Sequence, residues 1–156
     1  MDTLSNKASA VDIARLFICK SYEKDQDLND ITNMKLLKFL YFAQAISLVR
    51  YDKPLFSETI EAWKHGPAVD SVYEEYKSNG AGVIPNEKCD VDKFNEETIW
   101  VVEKTLEIFD KYSARELVDI THKHKPWKDV YEEGKKHIPI SNESIKNYYR
   151  DVFSIE

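Results

Sequence analysis

The chain has 156 residues and a formal net charge of −6, from 22 Lys and Arg against 28 Asp and Glu. Four glycines, five prolines and a hydrophobic fraction of 42% exclude a loop-rich barrel and a low-complexity chain, and predict a single aromatic-rich domain over residues 1–156. The acidic balance, without a local basic cluster, makes nucleic-acid binding an unfavourable interpretation.

Two cysteines and the absence of a leader pattern bear on the compartment. Cys19 falls in a helical pattern and Cys89 in a polar loop, without a CxxC pair, so we expect two reduced thiols and no zinc ribbon. The first residues lack the basic start and apolar run of a signal peptide. The longest apolar segment is shorter than the roughly 20 residues that cross a bilayer. These features predict a cytoplasmic protein without a membrane partner.

The first half of the chain predicts two helices, the second of them central. Ser9-x-x-Asp12 opens the first helix, and residues 23–30 are a polar loop. The second helix is predicted from about Thr32 to Arg50. Twelve of its residues 34–49 are apolar, and the four polar ones do not share a face. A helix that is apolar nearly all round packs on several sides, which places this one at the centre.

An extended segment follows the central helix. Residues 58–65 alternate loosely and contain β-branched residues and Trp63, so they predict a short strand. Gly66 can take a positive φ, and Pro67 suits the first turn of a helix. We therefore expect a helix to begin at Pro67, with an apolar stripe formed by Val69, Val72, Tyr73 and Tyr76.

The second half predicts four further helices and one more extended segment. Residues 80–94 read as a polar loop. Helices are expected to start at Asn95, at the capping box Ser113-x-x-Glu116, at Lys125-Pro126-Trp127, which breaks one helix and starts another, and at Ser141. The extended segment is Ile138-Pro139-Ile140. The predicted fold is mainly α: a compact bundle of about seven helices around a central hydrophobic helix, with a small two- or three-stranded β element.

Three separated motifs resemble the Panacea domain, also called the SocA-like antitoxin or phage-associated GepA-type domain. They are KLLKFLYFAQ from Lys35, EAWKHGPAV from Glu61 with Tyr73 behind it, and Thr121-His122 followed by Lys125-Pro126-Trp127. The resemblance covers roughly residues 10–150. It implies an antitoxin of a bacterial or phage toxin–antitoxin pair, which neutralises its toxin by direct protein contact without catalysis. The matching motif residues are Lys35, Tyr41, Glu61, Gly66, Pro67, His122 and Pro126.

Aromatic side chains near the motifs are the candidates for partner binding. They are Trp63, His65, Tyr73, Tyr76 and Trp127, because Trp and Tyr dominate binding hot spots. A plainer interpretation makes Trp63 a core aromatic and His65 a structural hydrogen-bonding group. Lys35 and Lys38 on the central helix must either extend their ammonium groups to solvent or pair with a carboxylate, with Glu61 as a candidate partner, and Tyr41 is expected to pack. The acidic surface favours a basic toxin.

Metal, cofactor and catalytic signals are weak. His122, His124 and His137 could supply three imidazoles, but residues two apart on a helix do not face each other, so we expect no metal and no cofactor. No GxSxG or glycine-rich phosphate loop is present, which favours a protein that is not an enzyme.

Two alternatives to the antitoxin remain open. The first is an adaptor that delivers a partner to a protease or to replication machinery. The second is a small-molecule enzyme that uses Glu61, His65 and His122 around Trp63, and it predicts a concave pocket where these groups converge. The sequence leaves the oligomeric state undetermined.

Overall fold

The computed structural model describes residues 2–27 and 29–153, which form seven α-helices and a three-stranded antiparallel sheet. The helices are α1 (Ala10–Lys24), α2 (Asn33–Tyr51), α3 (Asp70–Tyr76), α4 (Glu96–Phe109), α5 (Ala114–Lys123), α6 (Lys125–Lys128) and α7 (Asn142–Val152). The strands are β1 (Ile60–Trp63), β2 (Gly66–Ala68) and β3 (Pro139–Ile140). The predicted helical bundle with a small sheet is confirmed.

Helix α2 forms the centre of the fold, as its sequence predicts. Residues 35–48 are all buried, and the helix contacts α1, α3, α4, α5, α7 and β2. Its aromatic rings connect it to three of these helices: Phe39 stacks on Phe17 of α1, Phe42 stacks on Phe109 of α4, and Tyr41 meets Tyr149 of α7 edge-on. Within the described ranges, no helix is both long and apolar enough to span a membrane.

The helix starts follow from local capping, and each predicted cap is confirmed. Ser9 and Ser113 form complete capping boxes with Asp12 and Glu116. Asn95 accepts a hydrogen bond from the Thr98 main chain, and Ser141 caps α7 in the same way. Each such cap stabilises its helix by about 1 kcal/mol relative to alanine, so these starts need no distant contact.

The sheet corrects one prediction, that a helix begins at Pro67. Gly66 has a φ of 109° and reverses the chain, so that Trp63 lies opposite Gly66 and Ala62 opposite Pro67 in an antiparallel hairpin. Proline lacks an N–H donor and is tolerated in β2 because β2 is an edge strand. The following helix begins at Asp70. On the other side β1 pairs with β3, which confirms the second extended segment.

The cysteines correct a second prediction, that both thiols are reduced. Cys19 of α1 and Cys89 of the loop after α3 form a disulfide, with Cα atoms 6.2 Å apart and a sequence separation of 70. The polar loop returns over α1, where Arg15 Nε lies 3.0 Å from Glu87 Oε2 and the Tyr76 hydroxyl donates to the same oxygen at 3.2 Å. This return brings two cysteines together that are distant in sequence.

Candidate functional site

The β1–β2 hairpin is the place where the three motif segments of the sequence meet. Helix α2 contributes Lys38, whose ammonium donates a 3.0 Å hydrogen bond to the main-chain oxygen of Pro67. The α5–α6 region contributes His122 and Trp127, which bind main-chain oxygens of the hairpin turn. Contacts from both sides therefore fix the position of the hairpin.

Lys38 lies under the hairpin in a fully enclosed position. Its side chain is 2% exposed, and its only hydrogen bond within the described ranges goes to the Pro67 oxygen. Burial disfavours the charged ammonium and lowers the pKa of Lys38 to about 7. A Cβ on Gly66 would lie 2.7 Å from Lys38 Cε and 2.8 Å from Thr121 Oγ1, so only glycine fits above the lysine.

Two ring nitrogens hold the turn of the hairpin. Trp127 Nε1 donates a 2.7 Å hydrogen bond to the Trp63 oxygen, and His122 Nε2 lies 3.1 Å from the Lys64 oxygen. The contact with a carbonyl oxygen assigns the proton to Nε2 of His122. The pKa of His122 is lowered, mainly by burial. The His122 ring stacks on Trp127, and Trp127 stacks on Tyr131, with ring centroids 4.1 Å and 4.6 Å apart.

Four side chains that lie together at the hairpin are called the hairpin surface: Glu61 and Trp63 of β1, Tyr73 of α3, and His137 of the segment before β3. Trp63 and Tyr73 meet edge to face with centroids 5.2 Å apart, and Tyr73 is 38% exposed. Trp63 Nε1 donates a 2.9 Å hydrogen bond to Glu61 Oε1. His137 Nδ1 lies 3.1 Å from the same oxygen. The hairpin surface thus combines a partly exposed aromatic pair with a carboxylate.

The structure brings some of the predicted partner-binding residues together and separates others. Trp63 and Tyr73 share the hairpin surface, and His65 is exposed in the turn. Tyr76 and Trp127 are buried, with 2% and 8% of their surface exposed. Trp63 is half-buried. Its burial is therefore intermediate between that of a core aromatic and that of an exposed partner-binding residue, the two interpretations of its sequence position.

The residues of the central helix have other partners than the sequence suggested. Lys35 Nζ pairs with Asp30 at 2.8 Å and with Asp110 at 3.6 Å, so neither Lys35 nor Lys38 pairs with Glu61. Tyr41 packs in the core, where burial raises its pKa. Pro126 is buried at the start of α6, as its position after the helix break implies.

The groups that the enzyme alternative needs make separate contacts. Glu61 binds Trp63 and His137, whereas His122 binds the Lys64 oxygen, with His65 exposed nearby. Two surface grooves, of about 460 Å³ between α6 and α7 and about 350 Å³ beside α1, include none of Glu61, His65 and His122. Among residues 2–27 and 29–153, no cluster of three or more His, Cys, Asp and Glu could hold a metal ion.

Sequence reasoning missed two contacts of the site. The pairing of His137 with Glu61 joins residues 76 positions apart, and the hydrogen bond of Lys38 goes to a main-chain oxygen. A main-chain acceptor cannot be recognised from the pattern of side chains in the sequence. The Glu61-x-Trp63 spacing did carry a usable signal, since alternate residues of a strand share a face and their side chains can bond.

Comparison with known proteins identifies the family. The family described as "Antitoxin SocA-like, Panacea domain" matches residues 36–128, a range that contains the hairpin, α5 and α6. A relative named Antitoxin SocA, from Caulobacter vibrioides (strain NA1000 / CB15N), is 32% identical over 149 residues, which cover 86% of this chain and 77% of the relative. No solved structure matches the chain. The chain is a member of the antitoxin SocA-like family and carries a Panacea domain.

Proposed function

We propose that this protein is the antitoxin of a bacterial or phage toxin–antitoxin pair, and that it neutralises its toxin by direct contact through the hairpin surface. Membership of the SocA-like family and the likeness to Antitoxin SocA support the antitoxin role. The observation that carries the contact site is the partly exposed pair of Trp63 and Tyr73, in which Tyr73 of α3 packs on Trp63 of a hairpin that Lys38, His122 and Trp127 hold in place.

The proposed mechanism is steric and needs no catalysis. Trp63 on a hairpin that is fixed from two sides, packed against Tyr73 of α3, loses little side-chain entropy on binding. Tryptophan and tyrosine are enriched among the hot spots of interfaces, where alanine substitution costs about 2 kcal/mol or more, roughly a 30-fold change in affinity. The toxin is inactive as long as this contact covers its functional surface. The acidic net charge of −6 favours a basic toxin.

Co-expression with a candidate toxin tests the function. The product of a short reading frame adjacent to this gene is expressed alone and together with the protein. Growth arrest that only co-expression relieves, with co-purification of the two chains, supports the proposal. Growth that the neighbour alone does not affect contradicts this pairing. The amount of toxin is followed by immunoblot, because occlusion leaves it unchanged, whereas the adaptor alternative makes it fall.

Two variants test the contact site. Trp63→Ala combined with Tyr73→Ala is expected to abolish rescue of growth and co-purification. The matched control is Trp100→Ala, since Trp100 is also half-buried but contacts Tyr51 and Arg50 instead of the hairpin. Equal rescue by the double variant and the control would place the contact elsewhere on the protein.

A further inference from the structure

The carboxylate of Glu61 is enclosed, yet it lacks a permanent positive partner. Its side chain is 15% exposed and accepts a hydrogen bond from the Trp63 indole. Its only ionic contact within the described ranges is His137, whose imidazole carries a charge only when protonated. No lysine or arginine of residues 2–27 and 29–153 forms an ion pair with Glu61. A carboxylate that is mostly removed from solvent and lacks a fixed counter-charge is stabilised when a cation pairs with it.

The group that covers Glu61 is held weakly. His137 is 63% exposed and lies in an exposed stretch of chain, residues 132–137. Its φ is 64°, in the left-handed region that non-glycine residues rarely adopt. Rotation of this exposed side chain away from Glu61 uncovers the carboxylate at the cost of two contacts of one nitrogen, His137 Nδ1 with Glu61 Oε1 at 3.1 Å and with Oε2 at 3.2 Å.

The surroundings of Glu61 match the chemistry of a guanidinium group. A guanidinium binds a carboxylate through two parallel N–H donors and also stacks on aromatic faces. Trp63 lies beside the carboxylate, with Tyr73 in contact with its ring. A cation over a tryptophan face gains about 0.5–2 kcal/mol beyond the ion pair. The carboxylate and the indole together therefore favour arginine over an apolar or acidic side chain.

We propose that Glu61, Trp63 and Tyr73 form a receptor for one arginine side chain of the protein partner, and that this arginine displaces His137. The inference rests on the proposed function, because it assigns the chemistry of the toxin residue at the centre of the contact. Glu61 pairs with the guanidinium, Trp63 stacks on it, and Tyr73 fixes the tryptophan ring.

A titration with a small molecule tests this receptor without any toxin. The probe is N-acetyl-arginine N-methylamide, and its uncharged counterpart is N-acetyl-citrulline N-methylamide. The readout is the indole N–H signal of Trp63 in ¹H–¹⁵N spectra, assigned by its absence in Trp63→Phe. We expect saturable shifts with the arginine probe and none with citrulline. Equal shifts with both probes, or no saturable shift with arginine, would overturn the proposal.

Three variants locate the binding. Glu61→Gln keeps an oxygen that accepts from the Trp63 indole but loses the charge, so it is expected to weaken arginine binding at least tenfold. Glu132→Gln is the matched control, because it removes an equal charge that Lys135 pairs with outside the hairpin surface. His137→Gly keeps the positive φ without strain and uncovers Glu61, so it is expected to bind the probe more tightly. Unchanged binding in Glu61→Gln contradicts the receptor.

The two hypotheses fail separately. If the titration succeeds and no toxin is neutralised, the arginine receptor stands and the antitoxin function is wrong. If a toxin is neutralised but Glu61→Gln binds the arginine probe as well as the unchanged protein, the function stands and the receptor is wrong.

Discussion

The indole nitrogen of Trp127 in α6 donates a 2.7 Å hydrogen bond to the main-chain oxygen of Trp63 at the end of β1. This bond joins the two tryptophans of the family motifs and anchors the hairpin turn to the helical part of the fold. Because Trp127 is 8% exposed, the bond lies largely out of solvent. It therefore contributes to the position of the hairpin surface as well as to stability.

Trp127→Phe is expected to destabilise the protein by about 1 kcal/mol more than Trp100→Phe, since only the first change removes an indole donor from an internal hydrogen bond. Urea unfolding of both variants measures the difference. Hydrogen exchange of the indole protons gives an independent check, with the Trp127 proton slower than that of Trp100. Equal costs and equal exchange rates would show that the bond does not form in solution.

Gly66→Ala is expected to destabilise the hairpin more than any other glycine-to-alanine change at a positive φ. The new Cβ meets Lys38 Cε at 2.7 Å and Thr121 Oγ1 at 2.8 Å, whereas a Cβ at Gly134 meets no atom within 4 Å. Both sites carry the backbone cost of about 1 kcal/mol, and overpacking adds roughly 1–3 kcal/mol at Gly66 alone. Thermal or urea unfolding of Gly66→Ala and Gly134→Ala measures the difference. A cost at Gly66 no larger than at Gly134 contradicts the close packing.

Lys38 gives the stability of the protein a defined pH dependence. Burial lowers its folded pKa to about 7 from an ordinary value of 10.5, so between these values the unfolded chain binds more protons than the folded chain. The free-energy cost of burying Lys38 is largest below pH 7, and it decreases as the pH rises toward 10.5. Lys38 therefore adds a positive slope of at most about 1.4 kcal/mol per pH unit to the free energy of unfolding.

Lys38→Met tests this dependence because methionine has a similar volume and does not titrate. Urea unfolding of both proteins is measured from pH 6 to pH 10. We expect the free energy of unfolding of the unchanged protein to rise relative to that of the variant over this range. If the free energies of unfolding of the two proteins change in parallel with pH, Lys38 is not buried without a carboxylate partner.

The disulfide between Cys19 and Cys89 is expected to stabilise the fold, because it closes a long loop of the unfolded chain. For a sequence separation of 70, loop-closure entropy amounts to about 4 kcal/mol. Urea unfolding with and without reductant measures the loss, and Cys19→Ser with Cys89→Ser provides the reductant-independent comparison. If reductant does not change the free energy of unfolding, and two free thiols are titrated in the protein without reductant, the cysteines are reduced and the disulfide is wrong.

The predictable part of the fold is the part that local physical chemistry determines. The caps at Ser9, Ser113 and Ser141 act within one helical turn, and the apolar composition of α2 directly requires burial on all sides. These features could be derived without knowing any distant contact.

The errors have a different cause, since each depends on a contact between two segments and not on the pattern within one segment. A Gly-Pro step suits both the start of a helix and the return of a hairpin, and only the pairing of β2 with β1 decides between them at Pro67. The same holds for the Cys19–Cys89 bond and for the Glu61–His137 contact, which join residues 70 and 76 positions apart. No local pattern encodes such contacts.

The burial of α2 has a consequence for how this domain diversifies. Since the helix touches elements on every side, a change in its interior disturbs the whole fold, whereas Glu61, Tyr73 and His137 can change at the rim with little effect on the core. Under the proposed function, a change of partner therefore needs the replacement of only a few side chains of the hairpin surface on an unchanged scaffold.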